Sequence, residues 1–448
     1  MNPLLWACRQ LLCAVLFLIV TMHVPAPGQT ASAPESASGN VRNSGALNIQ
    51  DTLWSESDML SEALNQSPGL AADRARIDAA MARAESAGAW PAPTVSFEFY
   101  NTPITSLNPL SDGLENDYAL QQMIPLSGMP GLMRDMASAQ AEMERANVHT
   151  KSRDLLRDLR SDIAMLISAR KRLAINEENH RLVEQVLRSV EAAYAVARAT
   201  QADVLRIRVE LTKSLNERLA IEAEAATMQA MVNARLNRTP ESRIPDIVPE
   251  NPDSYPDPES ATAPSPHERS ELRMMSAEAD MVRAQATLAG RSWVPELMLR
   301  GMYKEMTMGM PDSWAFMIGV SVPFAPWAQP AISGARQEAE ARKMEVEKRT
   351  QEMQLMIAMQ RRESRVQYNA LSARLQQYSA AIIPASTQAL SAALEAFGTG
   401  GGSFISLLDA ARMHTMLRME EAMLEAEFRS AAARLLWTAG GDSALIKK

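Results

Sequence analysis

The sequence predicts a mixed α/β chain of two internal repeats, in which long helices alternate with short strands and any membrane crossing is made by strands. Three observations predict it. Leu70, Gly88 and Pro93 recur as Leu272, Gly290 and Pro295, each 202 residues further on. Residues 131–196 contain no proline and no internal glycine, and a second run of similar length, Ala331 to Phe397, carries the one proline Pro384. Beyond the N-terminus no apolar stretch reaches the ~18 residues of a spanning helix, and strands are the other structure that satisfies its backbone in lipid.

Composition narrows the function. The 448 residues carry 45 basic and 53 acidic side chains, a formal charge of −8. That balance argues against a nucleic-acid binder, which needs a basic face to neutralise phosphates. Leu11 to Met22 is an apolar run preceded by Arg9, and Ala31-Ser32-Ala33 is an A-x-A cleavage pattern. Residues 1–33 read as a secretory signal; the competing reading is a membrane anchor. Cys8 and Cys13 both lie within it, and Leu12 before Cys13 is no lipobox. The mature chain then has no cysteine, a charge of −9, and no disulfide or thiolate chemistry. The five histidines show no ligand spacing, and no nucleophile elbow or phosphate loop occurs. Neither an enzyme nor a cofactor is expected.

The elements follow in order. A linker (34–55) precedes a first repeat (56–238), a proline-rich connector (239–266), a second repeat (267–438) and a tail (439–448). The connector has eight prolines between Thr239 and Pro266, which favours an irregular segment. A helix is expected over about Glu56 to Gly88. After Pro93, Val95, Phe97 and Phe99 alternate with Thr94, Ser96, Glu98 and Tyr100, and Trp314, Phe316, Ile318, Val320 and Val322 alternate with Ala315, Met317, Gly319 and Ser321. Period two with one apolar face marks strands, and the pattern alone fits a sandwich as well as a barrel. Asp117 to Ile124 and Leu297 to Tyr303 are their partners. Leu156, Leu159, Ile163, Leu166 and Leu173 hold a 3/4 spacing that Val183, Leu187, Val190 and Tyr194 resume, the repeat of coiled-coil packing. Some 66 residues make about 100 Å of helix. The helices Glu56–Gly88 and Ala202–Leu236 sum to nearly the same length, so two half-helices stacked end to end would cover the long one.

Three features carry a resemblance. They are the duplicated helix–strand–strand–helix order, the strand exits Ile124-Pro125-Leu126 and Val322-Pro323-Phe324, and a paired tip motif. That motif reads Phe397, Gly400, Ser403, Leu407-Leu408-Asp409 in one repeat and Tyr194, Ala197, Thr200, Asp203-Val204-Leu205 in the other. The chain resembles the TolC-like outer-membrane efflux family over nearly all its mature length, and Tyr378 to Ala389 looks like the RND-linked cation-efflux branch. The resemblance implies a homotrimer whose four strands per chain make a 12-stranded barrel in outer-membrane lipid. It implies a periplasmic helical tunnel, an adaptor protein at the helix tips, an inner-membrane pump beyond, and heavy metals or small toxic compounds as cargo. Physics agrees that four strands close no barrel. The alternative is a secreted coiled-coil scaffold without a pore.

Candidate site residues follow. Val196, Ala197, Arg198, Thr200, Thr399, Gly400, Gly401, Gly402 and Ser403 are small or polar tip residues that admit a partner closely; ordinary hairpin turns use the same types. Asp203 and Asp409, a turn beyond, form acidic rings in a trimer or merely favour a helix N-terminus. Met302, Met306, Met308 and Met310 present thioethers, which suit Cu(I); plain packing is the competing role. Trp90, Tyr100, Tyr118, Trp293, Tyr303 and Trp314 flank the strands as interfacial aromatics would.

Overall fold

The computed structural model describes residues 53–105, 108–252, 269–306, 311–323, 325–399 and 401–440. The expected signal segment 1–33, the linker up to residue 52, connector residues 253–266 and tail residues 441–448 lie outside the described residues, as do Gly400, Met308 and Met310.

The order is β1 (Trp54–Ser55), α1 (Glu56–Gln66), α2 (Pro68–Ala87), β2 (Thr94–Tyr100), the single turn α3 (Pro109–Asp112), β3 (Glu115–Pro125), α4 (Met129–Ala195) and α5 (Gln201–Arg235). There follow β4 (Ile247–Val248), α6 (Ser270–Gly290), β5 (Glu296–Met306), β6 (Ser313–Val320), α7 (Gln329–Gln377), a π-helical turn (Tyr378–Ile382), α8 (Ile383–Gly398) and α9 (Phe404–Ala439). Two expected helices differ. The helix over Glu56–Gly88 is broken at Ser67, whose hydroxyl accepts from the Leu70 amide at 3.3 Å while Pro68 takes the first helical position, where no N–H is needed. Proline also drives the residue before it out of the α region, and Ser67 is extended, at φ −62°, ψ 115°. The second long run is interrupted at Pro384, by the π turn just before the proline. An α-turn there would set the proline ring against the Ala380 carbonyl, and the wider turn avoids the clash.

Helix α4 has 67 residues, about 100 Å at 1.5 Å per residue. It is covered along two sides by shorter antiparallel helices. On one side, Lys151 pairs with Asp73 of α2 at 2.8 Å, and Glu191 with Arg208 of α5 at 2.9 Å. On the other, Thr150 meets Ser270 of α6 at 2.8 Å, and Ser161 and Lys171 meet Ser430 and Glu425 of α9, each at 2.9 Å. The half-helices α2 and α5 thus occupy successive lengths of α4, and so do α6 and α9. Helix α7 runs antiparallel to α6 and α9, with Arg349–Glu278 at 3.6 Å and Tyr368 stacked on Phe428 at 5.1 Å. Leu156, Leu159, Ile163 and Leu166, the stripe read from the 3/4 spacing, are at most 1% exposed.

The half-helices end at one level of α4, and the ends are tied there. The Trp437 ring of α9 lies under the guanidinium groups of Arg157, Arg269 and Arg153, at 5.0, 5.2 and 5.5 Å. Glu271 of α6 takes Arg269 at 2.6 Å and Arg153 at 3.3 Å. Cation–π geometry of this kind gains strength as it loses water. Glu56, at the start of α1, accepts from the Glu250 amide at 2.7 Å, and burial pushes its carboxyl above the usual range. The connector is not wholly irregular: Ile247–Val248 pairs in parallel with Trp54–Ser55, and the Asn233 side chain donates to the carbonyls of Pro240 and Ser242.

The larger sheet is antiparallel in the order β2-β3-β5-β6. Its central pair, β3 with β5, joins strands from the two halves of the sequence. Among the described residues β2 and β6 each have one partner only.

Leu159 is wholly buried, so Leu159→Ala should cost about 2–5 kcal/mol. Guanidinium unfolding in detergent, followed by circular dichroism, should show an earlier midpoint; an unchanged one would mean the α4 seam is not a packed core.

Candidate functional site

The two interhelical tips come together at one end of the bundle. Val183, Val186 and Val190 of α4, Val204 and Ile207 of α5 and Leu407 of α9 form one buried cluster, against which Phe397 and Phe404 pack. Beneath it α5 and α9 are bridged by a carboxylate–guanidinium pair: Arg412 donates to Glu210 from Nε at 3.0 Å and again from Nη2. Burial alone would raise Glu210, but Arg412 and Lys213 outweigh it and hold the carboxyl below its usual range. Neither residue carried a sequence signal, because the partners lie 202 positions apart on separate helices.

The tips are built differently. In the first, Ala197 is left-handed at φ 57°, and the Arg198 amide reaches back to the Ala193 carbonyl at 2.8 Å, closing α4 on a residue where glycine is the usual choice. Val196 and Arg198 are exposed. Thr200 then caps α5: its hydroxyl accepts from the Asp203 amide at 3.2 Å, and its own amide donates to the Asp203 carboxylate at 2.9 Å. That reciprocal capping box holds the Asp203 carboxyl below its ordinary value, chiefly through the Thr200 amide. In the second tip the amides of Gly401 and Gly402 both donate to the Ala396 carbonyl, at 3.0 and 2.8 Å. Gly402 is needed for approach: a Cβ there would sit 3.0 Å from the backbone of Ala396 and Phe397. Thr399 bonds back to the Glu395 carbonyl at 3.0 Å, and Ser403 caps α9 by accepting from the Ser406 amide at 3.2 Å. Asp409 lies a turn further, mostly exposed, 3.4 Å from Arg412.

At the sheet, period two becomes two chemically distinct faces. The register places Phe97, Tyr118, Tyr303 and Trp314 in one row across all four strands, with ring centroids 5.6, 6.2 and 5.0 Å apart. Val95, Phe97, Leu120, Trp314, Phe316, Ile318 and Val320 on that face are exposed, Phe316 by 82%. The opposite face is polar. Arg300 pairs with Glu98 across β3, and Lys304 pairs with Glu115 and, at 3.3 Å, with Asp117. Tyr100 belongs here, bonded to Glu98, which corrects its assignment to an aromatic belt: it follows Glu98 by two residues and must share its face. Trp90 and Trp293 stand exposed just before β2 and β5. Met302 and Met306 lie in β5, not in a loop, with Met302 opposite Ala119 and Ala315; Met308 and Met310 lie outside the described residues. Among the described residues no cluster of three or more His, Cys, Asp or Glu side chains offers a metal site, and no helix is long and apolar enough to cross a membrane.

The tip geometry gives two expected outcomes of opposite sign. Ala197→Gly should relieve about 1 kcal/mol of left-handed strain and raise the thermal midpoint. Thr200→Ala should cost about 1 kcal/mol and quicken hydrogen exchange at the Asp203 amide. Because the Asp203 carboxyl is held low, its share of the cap is complete above the ordinary carboxylate pKa. It fades as pH falls through the lowered value, so protection of the Thr200 amide, which donates to that carboxylate, should drop relative to its intrinsic exchange rate on acidification in the parent and less so in Asp203→Asn.

The comparisons with known proteins agree with this geometry. The sequence matches the family described as outer membrane efflux protein over residues 59–238 and again over 267–441. No curated protein matches it. Among solved structures it is similar to the outer-membrane channel OprN, at 17% identity, TM-score 0.72, over 86% of this chain and 90% of that one. The outer membrane protein VceC from Vibrio cholerae aligns at 16% identity, TM-score 0.70, over 86% and 96%. The CmeC outer membrane channel of Campylobacter jejuni aligns at 13%, TM-score 0.71, over 86% and 85%. At such identities these structures speak for the fold; the double family match speaks for the lineage. The chain belongs to the outer membrane efflux protein family, and its place is the outer membrane, with the helical part in the periplasm.

Proposed function

We propose that the chain is the outer-membrane channel of a tripartite efflux system, a passive conduit with no catalytic step. The observation that carries the reading is the four-stranded sheet, which exposes one apolar face and offers two edge strands. Open edges are not tolerated in lipid, and four strands are too few to close a barrel. Three copies, joining β2 of one to β6 of the next, would make a closed ring of 12 strands. The apolar face with its aromatic row would meet lipid, and the Arg300, Glu98 and Lys304 face would line the lumen. OprN and CmeC are described as outer-membrane channels, which supports the same reading here. Exposed Leu205, Val209 and Leu219 on α5 and Met344, Leu355 and Met359 on α7 are outer helix surfaces suited to burial between copies.

At the opposite end, the tips (Val196, Ala197, Arg198 and Thr200 with Thr399, Gly400, Gly401, Gly402 and Ser403) would receive a periplasmic adaptor, itself bound to an inner-membrane pump. Asp203 and Asp409 would ring the entrance with negative charge and favour cations. The cargo on this reading is heavy-metal cations or small toxic compounds.

The purified chain should require detergent, scatter light as three copies and conduct ions across a planar bilayer. A soluble, non-conducting monomer would overturn the reading in favour of a poreless scaffold. In the conducting protein, Asp409→Asn should lower cation preference, read as a shift in reversal potential under a salt gradient. Gly401→Pro should abolish co-purification with the adaptor while leaving conductance intact; unchanged adaptor capture would remove the tips from docking.

A further inference from the structure

The four strands contain five methionines, and the register puts all five on the polar face. Met123 stands opposite Met298, and Met298 opposite Gly319. Met317, two residues before Gly319, is diagonal to both Met298 and Met302. Directly opposed side chains have Cβ atoms about 5 Å apart, and diagonal ones remain within reach of long side chains. By register, Met123, Met298, Met317 and Met302 are therefore neighbours across three strands. Gly319 makes the room: a Cβ there would lie 2.8 Å from the Met298 methyl carbon.

Two further observations separate this run from filler. The polar face carries no leucine, isoleucine, valine or phenylalanine, whereas the apolar face carries no methionine. If packing alone were required, the two sets would mix. The charges are also arranged for a cation. Arg300 lies between Met298 and Met302 on β5, but its guanidinium is drawn across β3 to Glu98 and Ser96, away from Met317. Asp117, 3% exposed and diagonal to Met302, gives one oxygen to Lys304 and keeps Oδ1 without a hydrogen-bond partner. Met123 and Met317 are each 40% exposed, so the run is open to solvent on this face.

We propose that this face binds soft monovalent cations, Cu(I) or Ag(I), through the thioethers of Met123, Met298, Met302 and Met317, with Asp117 supplying negative charge beside them. Thioether sulfur selects such ions over hard or borderline divalent ones. The site differs from the set Met302, Met306, Met308 and Met310 that the sequence suggests: its ligands are fixed by strand register. Its meaning for transport, though not the binding itself, rests on the reading of this face as the lumen wall.

The test uses the detergent-purified chain with carbon-13 methyl-labelled methionine, titrated with silver nitrate in chloride-free buffer. Methyl resonances of the four residues, assigned by single Met→Leu changes, should shift and saturate. Those of Met413 and Met416 on α9 should not, and zinc nitrate should move none of the four. Met→Leu is nearly volume-conserving, and the quadruple variant should bind silver at least tenfold more weakly by equilibrium dialysis. Should that variant misfold by circular dichroism, Met298→Leu with Met317→Leu serves in its place. Absent shifts, or silver binding undiminished in the folded variant, would overturn the proposal. Bilayer conductance on the same preparation separates the two readings. A conducting protein without silver shifts loses this site and keeps the channel; a non-conducting protein with the shifts keeps the site and loses the channel.

Discussion

A helix of about 100 Å with two apolar sides needs cover along both, and the rest of the structure depends on how α4 is covered. Among the described residues no second helix of that length folds back along it on either side. Instead α2 and α5 share one side, and α6 and α9 the other. This fixes the ends. Strands must leave where α2 and α6 finish, and tips must form where α5 and α9 begin, so sheet and tips lie at opposite ends of α4. It also creates a joint halfway, where helix ends would leave carbonyls and amides without partners. The arginines around Trp437, with Glu271 between Arg153 and Arg269, close that joint with side chains.

The same arithmetic was legible in the sequence, because helix length and apolar spacing are local properties. So were the strands, where Val95, Phe97 and Phe99 alternate with polar neighbours. What stayed hidden depended on pairing. Nothing in one repeat announces that β3 will pair with β5 of the other, so the aromatic row and the methionine run, both products of register, could not be read. The face of Tyr100 was legible, since it follows Glu98 by two residues; counting it among the interfacial aromatics went by its ring instead. The break at Ser67 was legible from Ser-Pro, which opens a helix there, although the length sum took Glu56–Gly88 as one span. Ala197 departs from the glycine of the related motif, and the sequence does not reveal that it keeps the left-handed conformation all the same.

The two sheet faces solve opposite problems with the same alternation. The apolar face exposes branched and aromatic side chains, which are stiff and cost little entropy to order. On the polar face every guanidinium and ammonium group is matched by carboxylates (Arg300 by Glu98, Lys304 by Glu115 and Asp117). Pairing side chains across strands rather than along them spares this surface a strong local field, and it locks the register that both faces require.

In the proposed ring, the lone partners of β2 and β6 would have a genetic consequence. In a ring of copies, every seam is made by two different molecules, so an edge that cannot pair spoils its neighbour's edge as well as its own. A chain altered only at one edge would still fold its helices, join the ring and leave a gap in it. Such a variant, expressed beside the unaltered chain, would poison mixed assemblies, whereas a chain that fails to fold would simply be lost. Severity would then follow position, with mild changes at β2 or β6 more dominant than ruinous ones within α4.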